Sequence, residues 1–98
     1  MEHLKTVFIA HAAEEFCVSL SAALKQAGGF QVVGTAADGE QAIHMIQQLK
    51  PEVLVLDLML AKKDGISVLK AIAGMDKKPV TLATSRFVTD YVASAAAN

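Results

Sequence analysis

Residues 53 to 57 read VLVLD, four apolar residues in unbroken succession and then an aspartate. A strand with one face in water alternates apolar and polar side chains. An uninterrupted apolar run of this length suits a strand covered on both faces, the pattern of a parallel sheet packed between helices. No other feature narrows the fold as much. A second such run, VFIA at 7 to 10, stops at His11, and Pro79 introduces a further strand, VTLAT, at 80 to 84.

Between these runs the apolar period changes from two to between three and four. Lys5 to Ala10 reads as a strand, followed by a helix over 14 to 27 with Phe16, Cys17, Leu20, Ala23 and Leu24 on one stripe. Glu14 and Glu15 suit the positive N-terminal end of that helix, and Gly28-Gly29 ends it. Phe30 to Thr35 is the next strand. Asp38 then caps a helix over 39 to 50, with Gln41 three residues later and Ala42, Ile43, Ile46 and Leu49 as the apolar face. Pro51 closes it, and Val53 to Leu56 form the central strand.

Asp64-Gly65 is a turn signal ahead of a third helix with Ile66, Leu69 and Ile72 on one side. A last helical pattern over 87 to 96 carries Val88, Tyr91, Val92 and Ala95. The order β-α-β-α-β-α-β-α implies an α/β fold, a three-layer parallel sheet of the flavodoxin type with helices on both faces. Ligands of such sheets bind beyond the carboxyl ends of the strands. Ala10-His11-Ala12, Asp57 and Thr84 therefore share one rim.

Composition limits what that rim can serve. The 98 residues allow one domain over 1 to 98, and a 53% hydrophobic share fits a well-buried one. No apolar run approaches the roughly 20 residues of a membrane helix. Nine basic and ten acidic residues leave a net charge of -1, which gives no pull toward nucleic acid or anionic lipid. Cys17 has no partner for a disulfide and falls in an apolar helical stripe, so it reads as a core thiol. The N-terminus MEHLKT has no signal-peptide pattern, and a cytoplasmic setting is expected.

Asp57 ends four apolar residues, where an ionised carboxylate is costly without solvent, a cation or hydrogen-bond donors. It is either a nucleophile or metal ligand, or a carboxylate that ties down a loop. His11 is either a ligand or, as is commoner for a lone strand-end histidine, a structural hydrogen-bonder. One cysteine and three scattered histidines lack the spacing of a zinc set. A nucleotide-binding loop would need glycine after the first strand, and HAAEEF has none. Ser19, Ser21 and Ser67 lie in helical patterns with no histidine placed as a base, which disfavours a hydrolase. No enzyme activity is expected.

The segment VLVLDLMLAKKDG resembles the phosphoacceptor region of response-regulator receiver domains, with GFQVVGTAADGEQAI and ATSRF in matching order around it. Within that family the likeness is greatest to the receivers of sporulation-type transcription regulators. The resemblance implies a CheY-like fold, a phosphoacceptor at Asp57, a phosphoryl-sensing hydroxyl at Thr84 or its neighbour Ser85, and a metal-site carbonyl at Met59. It also implies a histidine kinase or phosphotransferase as partner, self-association, and contact with DNA only through a separate output domain.

Several positions depart from the pattern. Where the family has two adjacent acidic residues after the first strand, this chain has His11 and Ala12. Mg²⁺ is a hard cation that takes oxygen ligands, and imidazole suits softer metals. Mg²⁺ binding is therefore expected to be weak or absent. Ala61 replaces a usual proline, Lys62 and Lys63 add positive charge, and Asn98 comes before any fifth strand, its lysine or a last helix. The expectation is a truncated receiver whose strand at 80 to 84 needs a cover. Two functions remain: an atypical receiver that signals without phosphate, or a working phosphoacceptor in which Glu14, Glu15 or Asp64 helps to hold the ion.

Overall fold

The computed structural model describes residues 4–60 and 65–84. The elements run β1 (Lys5–Ala10), α1 (Glu14–Ala27), β2 (Phe30–Ala36), α2 (Gly39–Leu49), β3 (Val53–Asp57), α3 (Gly65–Ala73) and β4 (Val80–Thr84). The four strands form one sheet in the order β2-β1-β3-β4, and every pairing is parallel. The chain steps outward from β1 to β2 and then returns across β1 to β3 and β4. This reversal sends α1 to one face of the sheet and α2 and α3 to the other.

The unbroken apolar runs are explained by two cores. Phe8, Ala10, Leu54 and Leu56 pack with Ala42, Ile46, Val68 and Ile72 beneath α2 and α3. On the opposite face, Val7, Ile9 and Val55 pack with Cys17, and Phe16, Leu20 and Leu24 of α1 close over them. Successive side chains of β1 and β3 thus enter different cores, and each finds apolar neighbours.

The helix ends follow the expected chemistry. Asp38 Oδ1 accepts the Gln41 N–H at 2.9 Å, capping α2. Gly28, at φ 80°, closes α1 through its N–H to the Leu24 carbonyl. Lys50 ends α2 in the left-handed region at φ 48°, just before Pro51. Boundaries differ from the expected ones by a residue: Ala36 and Asp57 join their strands, and Lys50 falls outside α2.

Three stripes need correction. Ile66 is exposed, and α3 buries Val68 and Ile72, with Leu69 at the margin. Leu49 is also exposed, and Met45 packs on the core instead. Ala23 faces outward from α1. A feature with no clear sequence signal is a bulge between β1 and β2, where Val7 pairs with Val32 but Phe8 with Gly34. A Cβ on Gly34 would lie 2.9 Å from the Phe8 ring, so glycine makes room for the largest core side chain. The expected helix over 87 to 96, His3, Asp64 and Ser85 lie outside the described residues.

Candidate functional site

The rim is built by the carboxyl ends of β1 and β3. Ala10 pairs with Leu56 in register, and Asp57 pairs with Thr84 at the end of β4. Parallel strands in this register bring His11 and Asp57 together, because each is the first residue at or past the end of a buried run. The His11 N–H reaches the Ala36 carbonyl at 3.0 Å, extending the ladder one residue beyond β1.

Asp57 is the buried charged residue among those described, at 7% exposure. Its Oδ1 accepts the Met59 N–H at 2.9 Å, and its Oδ2 lies 3.7 Å from His11 Nε2. The second distance is ion-pair reach, longer than a hydrogen bond. Among the described residues, the carboxylate oxygens thus face an amide and an imidazole.

The first turn of α1 fixes the imidazole. His11 stacks on Phe16 with ring centroids 4.2 Å apart and planes 21° apart. Its Nδ1 accepts the Ala13 N–H at 3.0 Å, and Cys17 Sγ donates to its carbonyl at 3.8 Å. Burial, with a smaller push from the Glu14 charge, raises the Cys17 thiol above its ordinary pKa. Cys17 is therefore the core thiol that its position in the stripe implied. None of the contacts around His11 was legible in the sequence, although Phe16 five residues on, one turn into a helix, was the available hint.

Gly65 opens α3 directly against the site. Its N–H donates to the Leu58 carbonyl at 3.1 Å, and a Cβ there would collide with the Leu58 backbone and sit 3.0 Å from the Asp57 carbonyl. The sequence reading took this glycine only as half of a turn signal. Its further role is to let the helix approach the β3 terminus.

Among the described residues, the donor set does not fit a hard divalent ion. Glu14 lines a cavity with His11, Ala12 and Thr35 at this end of the sheet, and among the described residues no three His, Cys, Asp or Glu side chains converge to hold a metal. Ala12 offers no ligand, and Glu14 and Glu15 are exposed on α1. Met59 contributes its amide N–H to Asp57. Thr84 reaches the rim through its backbone register with Asp57.

The family model for the response regulator receiver domain matches residues 7–98. A protein-glutamate methylesterase/protein-glutamine glutaminase of Myxococcus xanthus is 40% identical over 62 residues, covering 63% of this chain and 18% of that protein. The transcriptional regulatory protein PdtaR of Mycobacterium tuberculosis is 30% identical over 64 residues, covering 65% of this chain and 31% of that protein. The chain therefore matches less than a third of the length of these curated relatives. Among solved structures, the response regulator domain of Thermotoga maritima CheB superposes with a TM-score of 0.80 at 21% identity, covering 96% of this chain and 73% of that one. The signal receiver domain of the putative regulator NarL from Mycobacterium tuberculosis gives 0.79 at 26%, covering 96% and 78%.

Proposed function

Since the chain belongs to the response-regulator receiver family of two-component signalling, we propose that it is an atypical member, a regulatory and self-associating module in which Mg²⁺-dependent phosphorylation of Asp57 is weak or absent. The observation that carries this reading is the His11–Asp57 pair at 3.7 Å, in a rim where no three His, Cys, Asp or Glu side chains converge among the described residues.

Phosphoryl transfer to a carboxylate depends on positioning and on positive charge for the three equatorial oxygens. In the reaction, an Asp57 oxygen would attack phosphorus while the bond to the donor's acyl oxygen breaks. Among the described residues, the basic side chain beside Asp57 is His11, a single imidazole with no lysine or arginine paired to the carboxylate there.

The competing reading is a working phosphoacceptor with Mg²⁺ held by Glu14, Glu15 or Asp64; of these Glu14 lines a cavity with His11 and Ala12, Glu15 is exposed on α1, and Asp64 lies outside the described residues. Incubation with a small acyl-phosphate donor and Mg²⁺, read by intact mass, is expected to leave the chain unmodified. A phosphoryl adduct that Asp57→Asn abolishes would establish the competing reading.

For self-association, the proposed surface is the outer end of the sheet. Val80 and Leu82 are 66% and 43% exposed and pair in register with Val53 and Val55 of the α1-side core. That apolar face has no cover among the described residues. The further proposals are a histidine kinase or phosphotransferase as partner, and a sporulation-type transcription regulator as the parent protein, with DNA contacted by its output domain. The last rests on sequence likeness alone, and the relatives named above include both an enzyme and a transcriptional regulator.

A further inference from the structure

The His11–Asp57 pair resembles the beginning of a transition-metal site. Zinc takes imidazole and carboxylate ligands at about 2.0–2.2 Å, so two tetrahedral neighbours sit about 3.3 Å apart. The observed 3.7 Å is within a small side-chain rotation of that. Distance alone does not exclude such an ion.

The other ring nitrogen does. A ligating imidazole binds the metal through a lone pair, and its second nitrogen carries the proton and donates it to a carboxylate, carbonyl or water. At His11 this arrangement is reversed. Nδ1 faces a donor, the Ala13 N–H at 3.0 Å, so Nδ1 must hold the lone pair and Nε2 the proton of the neutral ring. Nε2 is the atom turned to Asp57. Metal at Nε2 would force the proton onto Nδ1, against the Ala13 N–H. A ring flip gives no escape, since it would set a carbon against that amide and carry Nε2 away from Asp57.

We propose that His11 is a donor-only residue: the Ala13 amide holds it as the Nε2–H tautomer, and the Phe16 stack fixes its plane, so that the rim refuses transition metals as well as hard cations. The inference rests on the reading of Asp57 as lacking a cation and extends it, by naming the residues that determine metal specificity. Asp57 then faces an Nε2–H at ion-pair distance in place of an exchangeable ion.

The test is ¹⁵N NMR of the histidine rings in the whole chain, with and without Zn²⁺. The wild type is expected to show the Nε2–H pattern at His11 and no change there on adding zinc. Ala13→Pro removes the amide proton at a position whose φ, -88°, lies near the proline range. That variant should bind zinc at His11 about 10- to 100-fold more tightly, the usual effect of a second-layer partner. Asp57→Asn in the same background should reverse the gain.

An Nδ1–H tautomer in the wild type, zinc shifting the wild-type ring as strongly as the variant's, or no gain in Ala13→Pro would each overturn the proposal. The wild-type tautomer decides the matter even if the variant folds poorly. A phosphoadduct at Asp57 would defeat the preceding reading and leave the tautomer unchanged, so the two can fail separately.

Discussion

Cys17 is held away from water on the inner face of α1, and its raised pKa makes a prediction with a definite sign. Below the ordinary value of 9.0, folded and unfolded chains both keep the thiol proton. As the pH passes 9.0, the unfolded chain loses its proton first, so the stability this thiol contributes is complete below 9.0 and is lost as pH rises through the higher folded value. Alkylation by iodoacetamide across pH should therefore have a later midpoint in the folded chain than in urea. Coincident midpoints would show that the thiol is not desolvated. The same residue donates to the His11 carbonyl, which links the α1-side core to the rim.

At the scale of elements, α3 distinguishes periodicity from placement. Ile66 and Ile72 both fit the expected stripe, but only Ile72 reaches the core. Ile72→Ala should cost about 2–5 kcal/mol in urea unfolding, whereas Ile66→Ala should stay within about 0.5 kcal/mol. Equal losses would contradict the packing described. The strand runs and helix caps were legible because each is set by local chemistry: continuous apolar residues, Asp38 at an N-cap, Gly28 and Pro51 at ends. The helix faces were less so, since which of Ile66, Val68 and Leu69 turns inward depends on how α3 sits on β3, and Gly65 bears on that through a close approach to Leu58 and Asp57 that periodicity does not reveal. At the rim, the types and neighbourhood of His11 and Asp57 were readable from the strand ends. The Phe16 stack and the Ala13 amide were not, because they arise from the conformation of a short loop.

For the molecule as a whole, the sheet ends among the described residues in β4, with Val80 and Leu82 bare on the α1 side. If that face mediates self-association, sedimentation should show a concentration-dependent rise in mass that Val80→Lys with Leu82→Lys abolishes. A mass that stays monomeric at all concentrations would remove this part of the account. Its centre is the rim, where α1, β1 and β3 meet around the Asp57 carboxylate, the Met59 amide and the His11 imidazole. The most direct measurement is a Mg²⁺ titration followed by the amide resonances of Asp57 and Met59, in the wild type and in His11→Asp with Ala12→Asp. The account predicts no saturating shift in the wild type and a saturating one in the double variant; saturation in the wild type at residues 57 and 59 would contradict it.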